Sequence, residues 1–287
     1  MTQWVDASTN QDEAVVALAD LMRNRVTAVV AGAGMSTDSG LPDYRGTGSS
    51  GNPTVDFDLF MSHEKWRRWV WQRNQETWKA VASLTPTPGH RAVAAMQEAG
   101  IVNGIATQNV DGLDRKAGIA DPALLHGTFD LVDCIQCGTQ FDRVEVDAWM
   151  RERNPTVHDD ADPTHVAILA HVDEDAADAS TFDPAPCPRC GGILKPNVVF
   201  FGEALPAQAM DLAFRYAREA DVVLVVGSSL VVGTGLWVVH EGMQHHAQIA
   251  VVNRGPTQVD AYCNLRIEGG ASQILVGVAR LLGVSVD

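Results

Sequence analysis

Two Cys-x-x-Cys pairs, Cys134/Cys137 and Cys187/Cys190, are the residues whose chemistry is easiest to name. Each pair is followed by glycine, at Gly138 and at Gly191-Gly192, where the chain can turn tightly around a metal. Four thiolates fill a tetrahedral Zn²⁺ shell and leave no position for water, so the expected ion is structural, one per chain. The same cysteines admit two other readings, a redox dithiol and four unrelated buried thiols. Cys263 stands alone and reads as an ordinary core cysteine. A second group of residues could hold phosphate. The apolar run Val26–Ala31 reads as a buried parallel strand that enters Gly32-Ala33-Gly34 and then a helix start. That geometry cradles a pyrophosphate, because backbone N–H groups in the first helical turn supply donors. The fingerprint is imperfect: Thr37 takes the third glycine position, and no acidic residue follows a clean second strand. Taken alone, such a turn also makes a simple strand-to-helix corner, and His126 reads as a core or capping histidine.

The elements that must position these residues alternate. Helical patterns span Gln11–Arg25, with Val15, Val16, Leu18, Ala19 and Met22 on one face, then 90–98, 207–220, 236–246 and 272–282. Apolar runs at 101–106, 198–201, 222–226 and 249–252 read as further strands. The alternation predicts an α/β fold with a Rossmann-like, doubly wound parallel sheet. The polar clusters Thr107-Gln108-Asn109, Gly227-Ser228-Ser229 and Asn253-Arg254-Gly255 fall just after strands, where open α/β sheets bind ligands. A helical module over 63–82 carries Trp66, Trp69, Trp71 and Trp78, a spacing that reads as core packing. Residues 46–53 are rich in Gly, Ser and Thr and read as a mobile loop. Residues 154–186 hold eight Asp or Glu and no Lys or Arg, and read as a solvated insertion with one short helix around 165–172. Its His158, His165 and His171 read as exposed loop residues rather than ligands. The expected division is a large part (1–46, 90–133 and 193–287) and a small part, helical over 47–89 and zinc-binding over 134–192.

Composition narrows the classes. A chain of 287 residues suffices for a sizeable core. The net charge of -15 argues against a general nucleic-acid binder, which needs clustered Lys and Arg. No apolar run approaches the roughly 20 residues of a membrane helix, and no leader-like segment opens the sequence. Paired thiols fit a reducing compartment, so a cytoplasmic protein is expected.

The strings GAGMSTDSGLPDYRG (32–46), TQNVDGL (107–113), Leu125-His126-Gly127, the paired cysteines, VVFFGE (198–203), VGSSL (226–230) and VVNRGPT (251–257) occur in this order. Together they resemble the sirtuin family over roughly residues 11–285. KPNVVFFGE and Tyr44, where many members have Phe, resemble its class II branch. The resemblance implies a Rossmann-type domain and a smaller zinc-ribbon plus helical domain. NAD⁺ and an acyl-lysine protein or peptide would meet between them. It implies that His126 is a base toward a ribose hydroxyl, Asn109 orients the ribose and a water, and Asp111 accepts from the nicotinamide carboxamide. Gly32, Ala33, Gly34, Ser36, Thr37, Asp43, Tyr44 and Arg45 would hold the diphosphate side and the nicotinamide ribose, beside Gln108 and Val110. Gly227, Ser228, Ser229, Asn253, Arg254, Gly255 and Ala271 would surround the adenosine. Val199, Phe200 and Phe201 would wall the acyl-lysine tunnel, while Gly202 and Glu203 present backbone to the peptide.

The implied activity is NAD-dependent protein-lysine deacylation. Mono-ADP-ribosyl transfer in the same site and a catalytically silent NAD or ADP-ribose sensor are the alternatives. Members that remove succinyl or malonyl groups carry Tyr and Arg shortly after the 43–46 loop. Here 47–60 has neither and its only charges are Asp56 and Asp58, so neutral acyl groups are expected over dicarboxylic ones.

Overall fold

The computed structural model describes residues 2–41, 53–157 and 170–286. Its strands in chain order are β1 (Gln3–Asp6), β2 (Thr27–Ala31), β3 (Val102–Thr107), β4 (Ala123–Leu124), β5 (Gly127–Cys134), β6 (Gln140–Asp142), β7 (Leu194–Val198), β8 (Val222–Val226), β9 (Gln248–Asn253) and β10 (Leu265–Glu268). The helices are α1 (Gln11–Met22), α2 (Phe57–Ser62), α3 (Glu64–Ser83), α4 (Pro88–Glu98), α5 (Leu113–Lys116), α6 (Arg143–Arg153), α7 (Glu174–Ala179), α8 (Ala207–Arg218), α9 (Gly233–Gln244) and α10 (Ala271–Leu281).

Seven strands form one parallel sheet in the order β1-β10-β9-β8-β2-β3-β4. Every residue of β2 and β8 is buried, as expected of parallel strands covered on both faces. One face packs on α1, α4 and α10 through residues such as Leu18, Met96 and Leu275. The other packs on α8 and α9 through Ala213, Tyr216 and Val239. The chain winds outward from β2 in both directions, so the carboxyl ends of β2 and β8 form the switch point where ligands bind in such sheets.

A second sheet, β6-β5-β7, is antiparallel. It corrects the expectation that 198–201 is a strand of the large sheet. Only Val198 is in a strand, and that strand pairs with β5, with Cys134 opposite Leu194 and Asp133 opposite Lys195. The second cysteine knuckle returns the chain beside the first, so β7 has β5 as its partner. Trp66, Trp71 and Trp78 are buried against this sheet and α6, and Trp69 is half-buried, so the tryptophan stripe is core. The indole N–H groups of Trp69 and Trp71 donate to backbone carbonyls and that of Trp78 to Asp147, which removes the cost of burying them.

Three further expectations change. Val16 is 48% exposed, off the buried stripe of α1. The acidic segment is not wholly solvated: Ala170, Ala177, Phe182 and Ala185 are buried. No helix spans the described part of 165–172. His171 instead bridges Thr54, with Val55 N–H donating to the Ala170 carbonyl at 2.8 Å, and the short helix is α7. His158 and His165 lie outside the described residues. Among the described residues, no helix is long and apolar enough to cross a membrane.

Candidate active site and metal centre

The loop after β2 makes two single 3-10 turns, Ala33–Met35 and Thr37–Ser39, not the helix start expected there. The reason lies in how it is tied to its neighbour. Gly34 N–H donates to the Gly227 carbonyl at 2.9 Å, and Gly32 N–H to the Val226 carbonyl at 3.0 Å. A Cβ on Gly34 would sit 2.7 Å from Gly227 Cα, and one on Gly227, at φ +60°, 2.4 Å from Met35 N. These glycines let the two loops touch each other, a role distinct from admitting a phosphate. Ala33 and Thr37 remain half-buried at the rim, and Thr37 Oγ1 donates to the Gly34 carbonyl at 3.3 Å. Asp43, Tyr44 and Arg45 lie outside the described residues.

The loop after β3 is drawn against the same place by Gln108 N–H, which donates to the Ala31 carbonyl at 3.0 Å. Ser36, Asn109 and Asp111 form a buried triplet. Ser36 Oγ donates to Asp111 Oδ2 at 2.7 Å and accepts from Asn109 Nδ2 at 3.1 Å. Asn109 Nδ2 spends its other proton on the Gly32 carbonyl at 3.0 Å, which leaves Oδ1 as the atom it can offer a ligand. Asp111 Oδ1 accepts Leu113 N–H at 2.9 Å. Burial pushes the Asp111 carboxyl up, against these hydrogen bonds. Val110 is buried, and its carbonyl accepts Phe129 N–H at 2.7 Å.

His126 follows β4 and precedes Gly127, whose φ is +77° and whose missing Cβ would fall 1.9 Å from the Asn197 carbonyl. Only glycine fits there, and the turn it makes carries the chain from the large sheet into β5 beside His126. Nδ1 lies 3.1 Å from the Gln108 carbonyl, and Nε2 lies 2.8 Å from Thr234 Oγ1. A carbonyl only accepts, so Nδ1 carries the proton and Nε2 the lone pair. Burial lowers the pKa of His126, partly opposed by the Gln108 carbonyl, so the ring is neutral near pH 7. The sequence reading missed Thr234, which is buried in the first turn of α9. Nothing in its sequence context marks it, because the contact with His126 spans 108 positions.

The residues expected around the adenosine lie in neighbouring loops, and several are committed to the protein itself. Ser228 Oγ donates to Gln108 Oε1 at 2.9 Å. The Ser229 carbonyl accepts Gln258 N–H at 3.1 Å. Asn253 Nδ2 donates into its own loop, to the carbonyls of Arg254 (2.9 Å) and Gly255 (3.0 Å). Arg254 is exposed, with its guanidinium over Gly270, next to the buried Ala271 that opens α10. The brace of this corner is Arg266, fully buried, which reaches Asp260, Glu268 and the Asn253 and Gly255 carbonyls. Sequence reasoning missed it because a strand-borne arginine reads as exposed.

Beyond β7, Val199 N–H donates to the His126 carbonyl at 2.9 Å, which places the apolar wall beside the imidazole. Phe200 is buried edge-on against Phe60, with centroids 5.3 Å apart. Phe201 points the other way and is 61% exposed, so of the two phenylalanines it is the one open to a ligand. Gly202 takes φ +81° in the turn that follows. Glu203 acts through its side chain as well as its backbone: Oε2 accepts Phe200 N–H at 2.9 Å and pairs with buried Lys195 at 3.1 Å. Lys195 is thus a cation behind the wall whose charge is already matched. Asp56 is spent as the N-cap of α2, accepting Leu59 N–H at 2.8 Å, and Asp58 is exposed.

At the far end of β5, the four sulfurs of Cys134, Cys137, Cys187 and Cys190 lie within 4.8 Å of one another. Cys134 and Cys190 sulfurs are 3.5 Å apart, Cys137 and Cys187 sulfurs 3.8 Å. Tetrahedral ligands at about 2.3 Å from Zn²⁺ stand ~3.8 Å from each other, so the donor set fits that ion. The two knuckles match: Gly138 N–H donates to the Cys134 carbonyl at 2.9 Å, Gly191 N–H to the Cys187 carbonyl at 2.8 Å. Hydrogen bonds with Thr139 pull the Cys137 thiol down to about 6, while the neighbouring cysteines push Cys190 up to about 12, so ionising all four together calls for a cation among them.

A model of the Sir2 family matches residues 32–234. NAD-dependent protein deacetylase 1 of Mycobacterium avium (strain 104) is 36% identical over 263 residues, covering 91% of this chain and 93% of the relative. NAD-dependent protein deacetylase 2 of Bradyrhizobium diazoefficiens is 39% identical over 251 residues, covering 86% and 90%. Among solved structures, a Sir2 with p53 peptide and NAD⁺ superposes with TM-score 0.73 at 26% identity, over 93% of this chain and 98% of that one. Sir2Tm bound to a propionylated peptide gives 0.72 at 25% identity, over 94% and 99%.

Proposed function

The chain belongs to the Sir2 family, and from that premise we propose that it is an NAD-dependent protein-lysine deacylase. It transfers the acyl group of an acyl-lysine protein or peptide to ADP-ribose and releases nicotinamide. The observation that carries this reading is the pairing of a neutral His126, its lone pair fixed on Nε2, with the buried Ser36–Asn109–Asp111 triplet one strand away. When bound, NAD⁺ supplies an electrophilic ribose carbon as nicotinamide departs. The chain's residues need only position groups and take up a proton, so no side-chain nucleophile is required. His126 Nε2 accepts the proton of a ribose hydroxyl. Asn109 Oδ1 accepts from the ribose or a water. The Asp111 carboxylate, already aligned by Ser36 and Leu113 N–H, accepts from the carboxamide.

Ala33, Thr37, Tyr44 and Arg45 hold the diphosphate side, and Arg45 would pair with phosphate bidentately. Ser228, Ser229, Arg254 and Ala271 surround the adenosine, with Asn253 shaping its loop. Val199 and Phe201, backed by the buried Phe200, would form the apolar wall for the lysine stem, and the 201–203 turn would offer backbone to the peptide as an added strand. Cys134, Cys137, Cys187 and Cys190 would hold a structural zinc, which would brace the β5–β7 pair and the segment after it that reaches His126. We place the division between the large and small parts at the two sheets, which moves 127–133 and 194–198 to the small part. A cytoplasmic location fits the paired thiols.

Incubation with NAD⁺ and an acetyl-lysine peptide tests the reading. Nicotinamide should be released and the peptide should lose its acyl mass. A gain of ADP-ribose mass without acyl loss would favour the transferase alternative, and no nicotinamide release with any acyl peptide would favour the silent sensor.

A further inference from the structure

The lone pair on which this mechanism depends is not free in the resting protein. Thr234 Oγ1 lies 2.8 Å from His126 Nε2, and the direction of that bond is fixed by the groups around it. The Val232 carbonyl, which only accepts, lies 3.2 Å from Gln108 Nε2, so this end of the Gln108 amide is its NH₂. Ser228 Oγ accepts Leu230 N–H at 3.2 Å and, with the amide so oriented, gives its own proton to Gln108 Oε1 at 2.9 Å. Gln108 Nε2 also donates to Thr234 Oγ1 at 3.2 Å. The threonine hydroxyl therefore receives from Gln108 and sends its one proton to His126. The opposite side of the ring is pinned by Nδ1–H on the Gln108 carbonyl. One residue, Gln108, thus grips the imidazole twice, directly through its backbone and through Thr234 by its side chain.

We propose that Thr234 is a positioning residue for the base: through the Ser228–Gln108–Thr234 chain it holds His126 neutral and in plane, and yields Nε2 to the ribose hydroxyl when cofactor enters. The mechanical reason is simple. With Nδ1 alone anchored, the ring can swing about its side-chain bonds, and a base out of line loses much of its advantage. The electrostatic reason is that a donor aimed at Nε2 favours the unprotonated ring. All the groups facing His126 in this network are uncharged, and no ion pair among the described residues includes it. Ser228 belongs to the adenosine side of the proposed site, so the same chain links cofactor seating to the base. This inference rests on the deacylase reading for its kinetic part only.

The test compares Thr234→Val, Thr234→Ser and the wild-type protein, each zinc-loaded and checked for an unchanged melting curve. His126 is titrated by ¹⁵N NMR without substrate, and kcat and KM for NAD⁺ are measured across pH. Removing one neutral hydrogen bond from the resting protein should lower kcat/KM for NAD⁺ about five- to tenfold. Because Thr234 yields Nε2 once cofactor is bound, kcat should change less, and the His126 pKa and the acid limb of kcat/KM should move upward together. Serine should restore both. An unchanged or lowered His126 pKa in Thr234→Val, or kcat/KM within twofold of wild type, would overturn the proposal. If the wild type releases no nicotinamide, the deacylase reading fails while the NMR titration still decides whether Thr234 holds the ring. If Thr234→Val does not fold, Thr234→Ala is titrated in its place under the same criteria.

Discussion

Asp114→Asn should stabilise the protein, and by an amount that grows with pH. Asp114 lies in α5 behind Asp111, buried, and its Oδ1 has no hydrogen-bond partner. His90 Nε2 stands 3.9 Å away and is equally unpartnered. Burial first, then the Asp111 charge, push the Asp114 carboxyl from 3.8 up to about 7, against the pull of the Thr107 hydroxyl. The folded state therefore binds this proton more tightly than the unfolded chain. The unfavourable contribution of Asp114 is absent below the unfolded pKa, grows as pH rises from there, and is complete above about pH 7. Between 3.8 and about 7 it reaches about 4 kcal/mol, of which ~2 develops between pH 5.5 and 8.

Asparagine keeps the shape and removes the charge, at a cost of about 1–3 kcal/mol if its amide finds no partner. His90 titrates in the opposite sense. Burial, with Arg91, lowers its pKa from 6.5 to about 4, so its stabilising contribution is lost as pH falls through that window. That contribution is present in both proteins, and only the part that depends on the Asp114 charge 3.9 Å away enters their difference. Urea unfolding of both at pH 5.5, 6.5, 7.5 and 8 is the assay, with zinc in excess so that its pH-dependent binding is common to the two proteins. The advantage of Asp114→Asn should rise by about 2 kcal/mol across it. A difference that does not change with pH would refute the argument, and would mean that His90 and Asp114 share a proton at all these pH values.

His126→Ala should abolish deacylation, by about 100- to 10,000-fold, in protein with an unchanged melting curve; activity within a few-fold of wild type would remove His126 from the base role. Elemental analysis should find one zinc per chain, and chelation or Cys187→Ala should lower stability rather than selectively remove the chemical step; a chelated protein that melts normally yet is inactive would make the metal catalytic. Phe182→Ala, which empties a buried site between α6 and the zinc sheet, should cost about 3–5 kcal/mol. An unchanged melting midpoint would restore the reading of 154–186 as a solvated insertion. Neutral acyl peptides should be turned over with higher kcat/KM than succinyl peptides, because Lys195 is already paired with Glu203; a clear succinyl preference would show that a cation reaches the acyl group.

What the sequence determined by itself is whatever depends on local patterning or on a dense motif. Unbroken apolar runs such as 222–226 can only be strands covered on both faces, so the α/β class followed from them. Two Cys-x-x-Cys knuckles fix a four-thiolate site wherever they meet, because each pair already orients two sulfurs. The strings around Gly32, Asn109, His126 and Gly227 marked the crevice and the family. The tertiary structure decided whatever depends on which distant segments touch. β7 joined the small sheet because the second knuckle returned it to β5. Phe200 went into the core and Phe201 into solvent because the turn at Gly202 sends successive side chains to opposite sides. The acidic segment carries Phe182 into a buried cluster that composition gave no reason to expect. The partner of the His126 lone pair is also a tertiary fact. Gln108 and Thr234 are 126 positions apart and meet only because β3 and the start of α9 end at one switch point. Hydrogen-bond polarity then chooses the tautomer of His126. A sequence can supply a histidine, but the direction of its lone pair is set by the carbonyl and the hydroxyl that the fold brings to it.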